Sequence, residues 1–328
     1  MHLFIVNERT IEVALKYGFA GTKGGYVVDW EGAHALNGNR ERAQASLYAD
    51  ICGVHRGDEV LLYLEKPRGD TKREGGRFFG IFKCVSDAPF LEPGGAYLAE
   101  ELSALVHYRV LLAPLRVYAK GLTEWYMMDE MASFRDIHDV PWTLIYRKLA
   151  GRRGCTPLLP HEADMIRRML DLKNAGQAIA SSSIGYCSSG IRLQGVADTA
   201  SYETSTLQAQ DVRPRLTALI RQGKRAYELH LQAYLMQEIG RNETLTRRLF
   251  PEQGVDWIGN EVYCGAGMQR IDVLAYTSNT LNRFVHLLEL KSYAVDRDAA
   301  SQLNRLSVPQ ILSPLFRKFW PLRGRDFR

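Results

Sequence analysis

Apolar positions along this chain either run together, alternate or recur at helical spacing, and the three patterns predict most of its elements. His2–Val6 is an apolar opening run that reads as a strand. After Asn7 the segment Thr10–Tyr17 has helical spacing, and the glycines between Gly18 and Gly25 end it. Arg56-Gly57-Asp58 signals a turn into a strand over Glu59–Leu64. Beyond the charged loop Lys66–Gly76 a second such strand covers Phe78–Val85, and Tyr108–Leu112 and Arg116–Tyr118 predict two more, separated by Pro114. Pro160–Lys173 opens with a helix-start proline and then places Met165, Ile166, Met169, Leu170 and Leu172 on an amphipathic pattern.

Residues 174–206 change character, with Ser181, Ser182, Ser183, Ser188, Ser189 and Gly190 crowded together and charge nearly gone. They read as a linker, within which Ile184–Leu193 could form a hairpin packed on either side. The expected organisation is therefore a mixed β/α domain over 1–173, a linker over 174–206 and a second domain over 207–328. From Pro214 the pattern turns helical through Ile239, and strands follow at Asp256–Cys264, Arg270–Tyr276 and Phe284–Tyr293, then a helix over Asp298–Leu306.

Composition adds limits. The chain has 328 residues, 46% hydrophobic and 24% charged, as expected of a folded protein with room for two cores. Its apolar runs are too short to span a bilayer, and Met1–Asn7 carries no basic leader, so no membrane partner and a cytoplasmic location are expected. The five cysteines show no C-x₂₋₄-C spacing, which argues against a cysteine-held zinc and for reduced thiols. The net charge of +5 is unevenly placed: residues 205–328 hold 18 Lys/Arg against 12 Asp/Glu, residues 1–204 hold 24 against 25. The basic excess, including Arg317, Lys318, Arg323, Arg325 and Arg328, sits where a polyanion would contact it.

The sharpest chemistry lies in Arg270-Ile271-Asp272-Val273-Leu274-Ala275-Tyr276 and Leu287-Leu288-Glu289-Leu290-Lys291. Residues two apart on a strand share a face, so Glu289 and Lys291 would project together and a paired strand could bring Asp272 to the same point. Carboxylates among apolar strands repel one another and lose hydration unless a cation offsets both costs. Magnesium suits such oxygen ligands, with manganese as an expected substitute. Glu228, on the helix before the strands, could complete the site. Glu238 and Glu243 are alternatives to it, and Glu261 reads as an exposed partner of Arg270 that could also approach the metal.

This pattern resembles the PD-(D/E)XK nuclease superfamily, and R-I-D-V-L…L-L-E-L-K-S is particularly similar to NucS-like and other restriction or repair endonucleases. The resemblance covers about residues 220–310. It implies a mixed sheet flanked by helices, with catalytic roles for Glu228, Asp272, Glu289, Lys291 and Gln302, and metal ligation by Asp272, Glu289 and Glu228. The usual proline before the first acid is replaced by Ile271.

The N-terminal half resembles PUA-like domains of the EVE, ASCH and SRA kinds. Leu3–Asn7, Val54-His55-Arg56-Gly57-Asp58-Glu59-Val60-Leu61-Leu62-Tyr63 and Gly80-Ile81-Phe82-Lys83-Cys84-Val85 carry the likeness, with Tyr146-Arg147-Lys148-Leu149 and Arg153-Gly154-Cys155-Thr156. It implies a β-barrel that reads a modified base in an aromatic pocket, for which Trp30, Tyr63, Trp125, Trp142 and Tyr146 are candidates. Asn37 and Asp50 are candidates for hydrogen bonds to the base edge. The expected fold is thus α+β: a PUA-like barrel joined to a restriction-endonuclease-like mixed sheet. The expected function is a magnesium-dependent DNA endonuclease directed to modified or damaged bases, and the resemblance allows a homodimer. The competing readings are a noncatalytic nucleic-acid-binding protein with a nuclease-like fold and an RNA-binding PUA-like factor.

Overall fold

A computed structural model describes residues 1–23, 38–65, 76–92, 97–130, 153–197, 199–204, 208–209, 211–214, 228–251, 253–264 and 269–290. Seven helices are described: α1 (Glu8–Tyr17), α2 (Gly38–Cys52), α3 (Ala99–Leu102), α4 (Glu124–Glu130), α5 (Pro160–Lys173), α6 (Glu228–Glu238) and α7 (Glu243–Leu249). In the main sheet, the apolar strand β1 (His2–Val6) lies between β3 (Glu59–Leu64), to which it runs parallel, and β8 (Cys155–Pro157), to which it runs antiparallel. Strands buried on both faces read as continuous apolar runs, and this is why the first residues show no alternation. Next come β4 (Arg77–Cys84), β6 (Val106–Pro114), β5 (Phe90–Leu91) and β11 (Gln208–Ala209); β2 (Phe19–Lys23) pairs with β6, and β7 (Leu122–Thr123) with β4. Because β4 pairs with β3, β6 and β7, the sheet curls on itself.

Local chemistry sets several of these boundaries. Asn7 accepts from Thr10 N at 2.8 Å and starts α1, and Gly18 at φ 66° ends it in the left-handed conformation that glycine adopts without steric cost. Arg116–Tyr118, expected as a strand, is not one. Pro114 closes β6, and only an isolated bridge from Tyr118 to Ala178 follows.

Residues 174–204 pack on the first domain where composition suggests a linker. The hairpin of β9 (Ile184–Cys187) and β10 (Arg192–Gly195) buries Ile184 and Leu193, and Ile179 N and Leu193 N donate to Val117 O and Ala119 O. Tyr202 then joins Phe19, Phe90 and Tyr97 around the fully buried Arg109, which donates to the Tyr202 hydroxyl at 2.9 Å and to Tyr97 O at 2.7 Å. Small polar residues here serve tight packing and turns.

The C-terminal strands β12 (Gly254–Cys264), β13 (Gln269–Ser278) and β14 (Arg283–Leu288) form an antiparallel meander with β13 in the centre. The resemblance implies a mixed sheet; the described part is antiparallel throughout. Its core joins that of the first half. Ala45, Ala49 and Cys52 of α2 bury against Ala233 and Met236 of α6 and Ile239 just after it, together with Ile258, Val273 and Ala275 beneath. The Tyr48 hydroxyl donates to Gln237 Oε1 at 2.9 Å across the same seam. Among the described residues no helix is long and apolar enough to cross a membrane.

The Arg56-Gly57-Asp58 turn holds a buried polar knot beside β1. Asp58 Oδ2 accepts from His55 N at 2.7 Å and stands 3.3 Å from His2 Nε2. Burial opposes ionisation of Asp58, but the His2 and His55 contacts outweigh it and bring the carboxyl down to about 2. Burial lowers both histidines, with the Arg241 charge adding to the effect at His55, which falls to about 4. All three groups have depressed folded-state values, so their stabilisation is present above the unfolded value and is lost as pH falls through the folded one. The urea midpoint should therefore drop between pH 6.5 and about 4 as His55 charges, then further below 3.8 as Asp58 protonates. His55→Gln should shrink the first step and leave the part due to His2; an unchanged midpoint across that window in the wild type would contradict the assignment.

Candidate active site

The last pair of the β13–β14 ladder is Val273 with Leu288, so by register Asp272 stands opposite Glu289. On the other side, the pairs Asn260–Val273 and Val262–Ile271 flank Glu261 and Asp272. Asp272 on β13 thus stands level with Glu261 on β12 and with Glu289, the residue after β14. β14 ends at Leu288, so Glu289 lies just beyond it, where a strand over Phe284–Tyr293 is expected from the sequence. The ladder stops because Leu290 N donates to Asp272 Oδ2 at 2.7 Å, a side-chain acceptor in place of a main-chain one.

Glu261 is held at φ 50°, a conformation costly for a residue with a Cβ. Neighbours enforce it from both sides. Arg153 Nη1 donates to the carbonyls of Asn260 and Glu261, each at 3.2 Å. From α6, Gln232 Nε2 reaches Asp272 O at 2.9 Å and Glu261 Oε1 at 3.2 Å. Arg270 Nη1 lies 2.6 Å from Glu261 Oε2, so the expected partnership forms, with Glu261 largely buried. Strain this closely supported is a mark of functional positions.

Arg153 is itself anchored. Its Nη2 donates to Asp50, and to Asn260 Oδ1 at 2.9 Å, while Asn260 Nδ2 donates to Asp50 Oδ1 at 2.9 Å. This buried triad ties α2 of the first half to β12 of the second, directly behind Glu261. Burial pushes the Asp50 carboxyl up, against the pull of Arg153 and Asn260.

Glu228 opens α6 and lies one turn before Gln232, on the same helix face. Glu238 sits at the other end of that helix, hydrogen-bonded by Gln237 and Asn242, and Glu243 pairs with Arg247 on the surface, so neither belongs to the site. Among the described residues no three His, Cys, Asp or Glu side chains converge closely enough to hold a metal between them. Lys291 and Gln302 lie outside the described residues.

Of the proposed base-reading residues, Trp30, Asn37, Trp142 and Tyr146 also lie outside them. Tyr63 packs on Phe78 with ring centroids 4.9 Å apart and its hydroxyl donates to Glu124, next to Trp125 on α4. Trp125 is half exposed. Asp50 is 2% exposed and committed to Arg153, so it faces no base. Sequence reasoning missed Gln232, Arg153 and Asn260. The spacing of Gln232 from Glu228 was the one available signal, since four residues on a helix share a face.

No protein-family model matches the chain, and no curated protein does. Among solved structures it is similar to the DUF55 domain of human thymocyte nuclear protein 1, at 13% identity over 42% of this chain and 78% of that one, with a TM-score of 0.28. It is also similar to Rpa0253 from Rhodopseudomonas palustris, at 12% identity over 52% and 94% with a TM-score of 0.30. A third is human THYN1 in complex with 5-methylcytosine-containing DNA, at 12% identity over 53% and 98% with a TM-score of 0.28. Likenesses at this level carry no conclusion about activity or ligand.

Proposed function

We propose that the chain is a magnesium-dependent DNA endonuclease whose N-terminal half directs it to modified or damaged bases. The observation that supports this most is the placement of Asp272 opposite Glu289, level with the strained Glu261, at one end of the meander. Carboxylates brought to one level repel one another, and a cation offsets that repulsion. The donor set fits magnesium, which takes one or two carboxylates and completes its shell with water and phosphate oxygens. Asp272 and Glu289 would hold it. When bound, the ion supplies Lewis-acid polarisation of the phosphate and a more acidic water. Lys291 would set a positive charge beside the scissile phosphate, and the basic excess of residues 205–328 would hold the DNA backbone.

One observation favours the second reading, a noncatalytic nucleic-acid-binding protein. The Asp272 carboxylate already accepts from Leu290 N, a structural task that would itself account for an aspartate here. Incubation with plain and cytosine-modified plasmids, in magnesium and in EDTA, separates the readings. Metal-dependent nicking that is faster on the modified plasmid is the expected result. Metal-independent binding without nicking would establish the second reading, and a preference for RNA would reject both.

A further inference from the structure

A cleft of about 400 Å³ opens between α5 and the meander, away from every residue assigned above. Its volume is in the range of small-molecule sites, about 300–1,000 Å³. Trp257, Tyr276 and Phe284 supply aromatic wall, Asp256 an acid, and Arg167 and Arg283 two guanidinium groups.

The platform is built rather than incidental. Trp257 and Tyr276 lie with ring centroids 5.3 Å apart and planes 44° apart. The indole N–H donates to Leu158 O at 3.1 Å, which fixes the ring across the seam between the two halves. The ring folds over Gly259, where a Cβ would come within 2.5 Å of it, so a glycine is required at that point. Asp256 is the extra residue of a β-bulge, the register slipping between Val255 and Trp257. Bulges re-aim side chains beside sites. Asp256 Oδ1 accepts from Ser278 Oγ at 2.9 Å, and its Oδ2 takes no hydrogen bond from any described residue.

Asp272 lies four residues before Tyr276 on β13, just past the last pair with β14. The cleft and the acid pair are then about 13 Å apart along one strand. Arg167 is committed to Glu59 and Asp164, and the Asp256 carboxylate beside the aromatic wall favours a ring that bears a donor over a phosphate.

We infer that this cleft takes a single unstacked, amino-bearing nucleobase of bound DNA, cytosine or adenine, and this rests on the reading of the chain as a DNA-binding protein. The base stacks on the Tyr276–Trp257 wall, its exocyclic amine donates to Asp256 Oδ2, and Arg283 meets the adjoining phosphate. The attached strand runs along β13 toward Asp272, so the cleft sets which bond reaches the acids. Thymine offers a carbonyl where cytosine has its amine and is repelled by the carboxylate.

The test is binding of fluorescein-labelled single-stranded dC and dT heptamers to the full chain, read by anisotropy in EDTA. The wild type should prefer dC roughly tenfold. Asp256→Ala, a change at an exposed position, should abolish the preference, weakening dC as its acceptor is lost and strengthening dT as the repulsion is removed. Tyr276→Leu, which keeps apolar bulk, should weaken both heptamers by roughly tenfold. Equal dC and dT affinity in the wild type, or a preference that survives Asp256→Ala, overturns the assignment. Because the readout needs no cleavage, a dC preference that Asp256→Ala removes in a protein that never cuts DNA upholds the cleft and rejects the nuclease reading. Cutting without that preference does the reverse.

Discussion

Asp272→Asn should reduce DNA cleavage in magnesium by at least about a hundredfold while leaving DNA affinity and the unfolding midpoint close to wild type. The asparagine Oδ1 can still accept from Leu290 N, so the junction after β14 keeps its hydrogen bond and only the charge is lost. Asp272→Ala removes both, and should lose cleavage together with about 1–3 kcal/mol of stability, the cost of leaving a half-buried N–H unmet. The pair of variants therefore separates the two tasks of this carboxylate. If Asp272→Asn cuts at the wild-type rate, Asp272 is a strand cap and nothing more.

Arg153→Met should be among the most destabilising single substitutions in the chain, at about 3–5 kcal/mol. It strands Asp50, which is 2% exposed, as an uncompensated buried charge, and it frees the carbonyls of Asn260 and Glu261. The pH dependence follows from the direction of the Asp50 shift. Burial already raises that carboxyl above its ordinary value, and without the guanidinium it rises further. A raised carboxyl contributes stability that is present below the unfolded value and lost as pH climbs through the folded one. The variant should accordingly regain ground relative to wild type as pH falls from neutrality toward 4, by urea denaturation at each pH. A double change, Asp50→Leu with Arg153→Met, should recover much of the loss. A constant gap between variant and wild type across that range would sink the argument.

Much of this fold was legible from periodicity alone. His2–Val6, Glu59–Leu64 and Pro160–Lys173 form where the pattern places them, because each is a locally coherent run closed by a turn or a cap. The meander was legible for the same reason, to within a few residues at each end. What was not legible depends on partners distant in sequence. The parallel pairing of β1 with β3 is invisible until both strands are placed, and α2 carries little amphipathic pattern because it buries small residues against α6. Residues 174–204 read as a linker because serine and glycine signal loops, whereas Tyr202 and Leu193 anchor them to the first domain.

At the site, Asp272 and Glu289 stood out because charged residues inside apolar strands are conspicuous. Gln232 and Arg153 did not, since a glutamine on a helix and an arginine before a strand look ordinary until the backbone of Glu261 is seen to need them. Asp50 shows the converse: a plausible reader of a base edge by type is, in place, the counter-charge of a buried arginine.

The central claim is that a cation held by these acids is required to break the phosphodiester bond. Its most direct measurement is the cleavage rate of one labelled DNA duplex by a single preparation, first in EDTA and then as free magnesium is restored stepwise. The account predicts no cleavage in EDTA and a rate that rises over roughly millimolar metal, since magnesium held by so few carboxylates binds weakly until phosphate completes its shell. Undiminished cleavage in excess EDTA would contradict it.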